Sequence, residues 1–240
     1  MFNFLSSIRA PKSYLSQMGE DKYLDKNIFR EKRRGVFLDI GAHDGYTFSN
    51  TYLLEKRYGW TGVCVEPLPS VFKKLQHNRS VTCVRAAISN TPGRLKFLEV
   101  VGPGNAEMMS GIVDRYDPRH LSRVKRDVKE RKGRQKIISV PSISIMELIE
   151  KYHLAHIDYC SIDTEGNEFE ILKSIDFSKV QIDCFTVEDL FGTSPLKTYM
   201  RKNGYKLVKT LDKDCVFLRQ DFIPYDFSSS IWRKLLSYVV

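Results

Sequence analysis

The sequence predicts an alternating α/β fold built on a mostly parallel sheet. Four short, β-branched apolar runs carry the prediction: VFLDI (36–40), GVCVE (62–66), IDYCSI (157–162) and IDCFTV (182–187), separated by amphipathic stretches. A glycine-rich turn, GAHDG (41–45), follows the first run directly. Two further strand-like runs, 205–211 and 215–219, are separated by Asp212-Lys213-Asp214 and read as a closing antiparallel hairpin. Strands joined through helices cross over right-handed and pair in parallel.

The elements are justified in chain order. Gly19–Arg34 reads as a polar helix ahead of the first strand, and Phe48–Arg57 as the helix after the glycine turn. Pro67 and Pro69 stop the second strand, and Ser70–His77 is the next helix, with Ser70 its expected N-cap. Val81–Ile88 is expected as one third strand, and Arg94–Val101 as a strand after the Pro92-Gly93 turn. Residues 102–136 read as a basic insertion over one face, the segment most suited to move or touch a substrate. Ile137–Val140 resumes a strand and Ser144–His153 a helix. Residues 163–175 (DTEGNEFEILKSI) turn off a strand end into a helix, and Pro195–Asn203 is a helix stopped by Gly204. Ile231, Leu235, Leu236 and Val239 fall at helical spacing, so 226–240 is expected as an apolar C-terminal helix. One domain over 1–240, with its core at about 14–220, is the expected organisation.

Composition bounds the function. Hydrophobic residues make up 42% and charged residues 28% of 240, which excludes wholesale disorder and allows a sizeable core. No apolar run is long enough for a spanning helix. The net charge is +9, and residues 115–136 hold ten Lys/Arg against three acids, so the basicity is local. That segment reads equally as a solvated helical face or as a patch for an acidic partner. The five cysteines, Cys64, Cys83, Cys160, Cys184 and Cys215, lie in apolar strand-like runs with no C-x-x-C, as buried free thiols of a reducing compartment would. MFNFLSSIRAPKS lacks the basic start and the apolar length of a signal peptide, so a cytoplasmic or membrane-peripheral location is expected.

Three constellations carry chemistry. In FLDIGAHDGY (37–46) an acid ends a buried strand, and Gly41 and Gly45 allow a tight turn and close approach of backbone to a ligand. Asp39 can accept from a cationic ligand group or order the loop. Glu66 ends the next strand, placed to accept both hydroxyls of a ribose or simply to face solvent. In SIDTEGNEFEIL (161–172), Asp163 ends a strand, and Glu165 and Glu168 flank a helix entrance, where they either cap the helix or form a carboxylate cluster. Such a cluster can bind a divalent cation or accept a hydroxyl proton.

Together these motifs resemble the FkbM family of S-adenosylmethionine-dependent methyltransferases. The resemblance runs from Ser16-Gln17-x-Gly19-Glu20-Asp21 through FLDIGAHDGY, VEP, AAIS (86–89) and IDTEGNEFEIL to the closing hairpin. It implies the Rossmann-like class I methyltransferase fold: a seven-stranded, mostly parallel sheet with an antiparallel final strand and helices on both faces. It implies S-adenosylmethionine binding by Asp39, Gly41, His43, Asp44 and Gly45 in the glycine loop, by Glu66 and Pro67 after the second strand, by Ala86 and Ala87 near the adenine, and by Gln17 and Asp21 near the methionine end. Asp163 matches the position facing the methyl group. His43 stands where the family more usually has Asn, and reads as a loop-structuring residue rather than a base. The other histidines, His77, His120, His153 and His156, read as ordinary surface or helix-end residues.

The implied activity is O-methylation of a hydroxyl on a sugar, glycan or glycosylated small molecule. Asp163, Glu165 or Glu188 would supply the base, or hold a divalent cation (Mg²⁺ or Mn²⁺) that lowers the hydroxyl pKa. The basic patch fits a phosphorylated or nucleotide-linked acceptor. Two alternatives stand beside it. A nucleic-acid (RNA ribose) methyltransferase would track phosphates with 115–136, which has Tyr116 as its one aromatic residue for base stacking. A non-enzymatic, membrane-associated module would dock through Phe2, Phe4, Leu5, Ile8, Ile231, Trp232, Leu235 and Leu236, although those ends suit packing or a homodimer contact better.

Overall fold

The computed structural model describes residues 13–91, 93–192 and 195–223. The apolar ends and the helix expected over 226–240 lie outside these residues. α1 (Glu20–Tyr23) runs into a π-helical turn, Leu24–Phe29, and stops there, short of the helix expected through Arg34. Left-handed backbone at Arg30, Glu31 and Arg34 ends it, while Leu24, Ile28 and Phe29 are buried and Phe29 meets Trp60 edge-on at 4.8 Å. β1 (Val36–Ile40) follows. α2 (Tyr52–Tyr58) starts later than expected because the amides of Thr51 and Tyr52 are first taken by Ser49 Oγ. After β2 (Thr61–Val65), α3 (Pro69–Asn78) opens with Pro69 in its first turn, so Leu68 and not Ser70 is the N-cap residue.

The expected third strand divides. β3 (Thr82–Val84) joins β2, whereas β4 (Ala87–Ile88) belongs to a second sheet. β5 (Gly93–Val101) leads to β6 (Gly111–Ile112) and α4 (Pro118–Glu130), and β7 (Arg134–Ile143) returns antiparallel along β5. The strand expected at 137–140 is thus longer, and the insertion ends at 133. α4 buries His120, Val124 and Val128 at i, i+4, i+8 and leaves its Lys and Arg at the surface. α5 (Ile145–Lys151) carries a full capping box between Ser144 and Glu147. Then come β8 (His156–Ile162), α6 (Glu168–Lys173), β9 (Gln181–Glu188), α7 (Leu196–Lys202), β10 (Tyr205–Leu211) and β11 (Asp214–Arg219).

The main sheet has seven strands in the order β3-β2-β1-β8-β9-β11-β10. Neighbours pair in parallel except around β11, which is antiparallel to both β9 and β10. One face packs Leu38, Ile162 and Phe185 against α5, α6 and α7; the other packs Phe37, Tyr159 and Cys184 against α2, α3 and Trp60. The smaller sheet, β4-β7-β5-β6, contains the strands expected at 94–101 and 137–140, but a second sheet was not among the expectations. All five cysteines are free, and four are buried.

Candidate active site

The carboxyl ends of β1, β2, β8 and β9 are in register, with Ile40 beside Val65 and Ile162, and Ile162 beside Val187. Parallel pairing therefore delivers Asp39, Glu66, Asp163 and Glu188 to one edge. Because β11 runs backwards, its first residue, Asp214, arrives at that edge opposite Glu188. An open cleft lies over this edge, the place where open α/β sheets receive ligands. Eight carboxylates line it, from Glu20, Asp39, Glu66, Glu107, Asp163, Glu165, Glu188 and Asp214, and no Lys or Arg does among the described residues.

The glycine turn is fixed from two sides. Gly41 has φ +87°, and a Cβ there would stand 1.7 Å from the carbonyl oxygen of Asp163. Gly45 has φ +75°, with Leu75 Cδ1 2.5 Å from where a Cβ would sit. Asp44 accepts from the amides of Tyr46 (2.9 Å) and Thr47 (2.7 Å) and from Thr47 Oγ1 (2.8 Å). Burial alone would raise its carboxyl, but the His43 ring 3.7 Å away and donation from Tyr46 and Thr47 outweigh this and hold it well below the usual range. Beneath the turn, the buried Arg79 pairs with Glu55, donates to Thr51 Oγ1 at 3.0 Å and lies 3.9 Å from Asp39. Thr51 Oγ1 in turn donates to Asp39 at 2.5 Å. Burial raises the Asp39 carboxyl, partly offset by Arg79 and Thr51.

Glu66 accepts from the Leu68 amide at 2.8 Å, and burial pushes its carboxyl up to about 7 against that hydrogen bond and the nearby His43. Asp163 is open to the cleft and closely surrounded by protein on its other sides. That crowding, then the negative charge of Glu165, Asp214 and Glu168, lifts its carboxyl well above the usual range, while contact with Glu188 opposes the lift. Glu188 is lifted by the same causes, burial first and the charge of Asp163 second, so both carboxyls hold their protons more tightly than free carboxylates do. Ligand atoms of Asp163, Glu165 and Glu188 lie within 4.8 Å of one another.

Of the residues singled out from sequence, Gln17, Asp39, Gly41, His43, Glu66, Pro67, Ala86, Ala87, Asp163, Glu165 and Glu188 line the cleft; Asp21, Asp44 and Gly45 do not. Asp21 is occupied by the amide of Leu15 (2.6 Å) and the hydroxyl of Ser16 (2.6 Å), so it holds the segment that carries Gln17. Its neighbour Glu20 faces the cleft instead. His120 is not the surface residue expected. It is fully buried, stacked on Tyr116 at 5.2 Å, and its Nε2 is 2.9 Å from Glu165 Oε2. Its spacing to Val124 and Val128 on one helix face was the available signal. Glu107, Asn167 and Asp214 were missed because only the tertiary fold brings them in; Asn167 donates to the Ile88 carbonyl at 2.9 Å, joining α6 to β4.

The chain is similar to several solved structures, each at low identity. A Methanococcus jannaschii fibrillarin, a pre-rRNA processing protein, superposes with a TM-score of 0.40 at 13% identity over 81% of this chain and 70% of that one. A human methyltransferase 10 domain containing protein gives 0.38 at 13% over 80% and 73%. A Geobacter metallireducens precorrin-6y C5,15-methyltransferase gives 0.36 at 12% over 87% and 90%. No curated protein matches the sequence. The family model described as the methyltransferase FkbM domain matches residues 39–207, from the acid that ends β1 to the middle of β10. With that span of the sequence, the seven-strand order and the cleft at its carboxyl edge, the chain belongs to the FkbM family of S-adenosylmethionine-dependent methyltransferases.

Proposed function

We propose that the protein methylates a hydroxyl of a sugar, glycan or glycosylated small molecule. The observation that carries this reading is the convergence of Asp163, Glu165 and Glu188, with carboxylate oxygens within 4.8 Å of one another, on the wall of a cleft fit for the cofactor. The fit is seen in the chain's own atoms. The close approach at Gly41 leaves room for backbone alone, and the buried ring nitrogens of His43 and Oδ1 of Asn50 lack hydrogen-bond partners at the cleft wall. Glu66 would accept the ribose hydroxyls. Leu68, Ala86, Ala87, Ile88, Phe97 and Ile112 form an apolar slot suited to the adenine. When bound, S-adenosylmethionine supplies an electrophilic methyl group on a sulfonium, and eight carboxylates suit its positive charges.

A neutral hydroxyl is a weak nucleophile, so its proton must leave. A carboxylate with raised proton affinity does this near neutral pH, and the Asp163–Glu188 pair has that property. With the methyl donor held in the cleft, Asp163 and Glu188 would take the proton that the acceptor hydroxyl gives up as it receives the methyl group. Orientation of the acceptor supplies most of the remaining rate. The cluster of Asp163, Glu165 and Glu188 is also where Mg²⁺ or Mn²⁺ would sit. The RNA alternative rests on the exposed cations of α4, and the acidic lining of the cleft stands against it.

Calorimetric titration with S-adenosylhomocysteine, with and without Mg²⁺, tests the reading alongside Glu66→Ala. Micromolar binding that the variant weakens by about tenfold or more is expected. No binding by folded protein in either buffer sinks the proposal.

A further inference from the structure

A second cavity adjoins the cleft and shares Glu188 with it. It lies between the start of α4, the start of α6 and the turn after β9, with Asp117, Arg119, Phe169, Glu188, Asp189 and Phe191 on its walls. Phe169 is held edge-on by Tyr199 at 5.5 Å, and Phe191 is 37% exposed. These rings offer electron-rich faces to the polarised C–H groups of a ring-shaped ligand. Two acceptor atoms at this place, Glu188 Oε2 and Asp189 Oδ2, are shielded from solvent and have no hydrogen-bond partner. Buried acceptors in that state call for donors from a ligand.

The charge of the cavity selects against anions. Arg119 is its one cation, and Asp117 already binds it through two hydrogen bonds of 3.0 and 2.8 Å while its guanidinium lies 4.0 Å over the Phe191 ring. Asp189 remains as an acid with no cation beside it on the same walls, and Glu168 and Glu188 add further carboxyls but no positive charge. A phosphate brought here meets repulsion with no cation free of a carboxylate.

We infer that this second cavity is the acceptor site, and that it takes a non-anionic polyhydroxylated ring, lying on Phe191 and Phe169 and donating hydroxyls to Glu188 and Asp189. The inference rests on the O-methyltransferase reading and narrows it. A hydroxyl that reaches Glu188 is thereby presented to the cofactor cleft, because the same side chain borders both spaces. The phosphorylated acceptors that suit the basic run at 115–136 are then disfavoured, and the exposed cations of α4 take no part in acceptor choice.

The test is saturation-transfer NMR on the full chain saturated with S-adenosylhomocysteine, using methyl glycosides of neutral hexoses and the corresponding hexose 6-phosphates. Saturation transfer to neutral glycosides is expected, weakened about tenfold or more in Phe191→Ala and reduced in Asp189→Asn. Affinity for S-adenosylhomocysteine should stay at the parent value in both variants. Three results overturn the inference: transfer to the phosphates alone, transfer to no sugar while S-adenosylhomocysteine is bound, or neutral-glycoside signals unchanged in both variants. Absence of S-adenosylhomocysteine binding, seen before any sugar is added, is instead a failure of the methyltransferase reading.

Discussion

His120 Nε2 stands 2.9 Å from Glu165 Oε2, so the inserted helix α4 meets, through a buried side chain, the turn that carries the candidate base. Glu165 holds left-handed backbone at φ 61°, a conformation costly for a residue with a side chain and sustained by its surroundings. His120→Ala should lower stability by about 2–3 kcal/mol, through a cavity beside Tyr116 and an unpaired carboxylate. In a double-mutant cycle with Glu165→Ala, urea denaturation should give a coupling of about 1 kcal/mol or more. Simple additivity would show that the contact contributes nothing.

Gly41→Ala puts a methyl group 1.7 Å from the Asp163 carbonyl oxygen at a positive φ. Backbone must move in two parallel strands at once. A loss of about 2–4 kcal/mol is expected, with S-adenosylhomocysteine binding abolished even where the variant remains folded. Chemical denaturation and calorimetry on one preparation separate the two effects. Parent-like binding would contradict the close approach.

Glu66 makes stability fall as pH rises. Its carboxyl titrates near 4.5 when unfolded and at about 7 in the folded protein. The folded state therefore holds the proton more tightly, and the associated stability is fully present below 4.5 and lost as pH rises through 7. Glu66→Gln keeps an acceptor for the Leu68 amide and removes the titration. The variant should gain on the parent by up to about 3 kcal/mol between these limits. Guanidinium midpoints at pH 5 and pH 8, both approximate choices on either side of the transition, measure the gain; an equal offset at both would refute it.

Arg79→Met should be among the most destabilising single changes. It leaves Asp39 as a buried carboxylate without its cation and Glu55 with Lys56 alone, at a cost of about 3–5 kcal/mol. Adding Glu55→Gln to Arg79→Met should restore part of that loss, because one buried, only partly compensated charge is gone. A further drop in the double variant, read by thermal melting, would mean that Arg79 acts through packing on Phe37, over whose ring its guanidinium lies at 5.3 Å, and not through charge.

The main sheet was legible because its central strands are continuous apolar runs that end in acids and turns, as VFLDI and IDYCSI do. The second sheet was not. β4 has two residues, too few to carry a period, and β3 and β4 together look like one strand until Arg85 and Ala86 carry the chain from one sheet to the other. Asp39, Glu66 and Asp163 were readable as strand-end acids. Asp214 was not, since it begins a strand, and only the reversal of β11 turns a beginning into the ligand edge. His120 lay hidden in a run of charge, although its spacing to Val124 and Val128 marked the buried face.

The segment between β5 and β7 has a consequence for chimeras. It gives Glu107, Met108 and Ser110 to the cofactor cleft, Asp117 and Arg119 to the neighbouring cavity, and His120 to Glu165. It is no detachable cassette: transplanted into another scaffold, it would carry a part of two cavity walls and leave both unfinished. Loop exchange is therefore not a modular operation here, and on the acceptor site inferred above altered selectivity is to be sought one side chain at a time, beginning at Phe191 and Asp189.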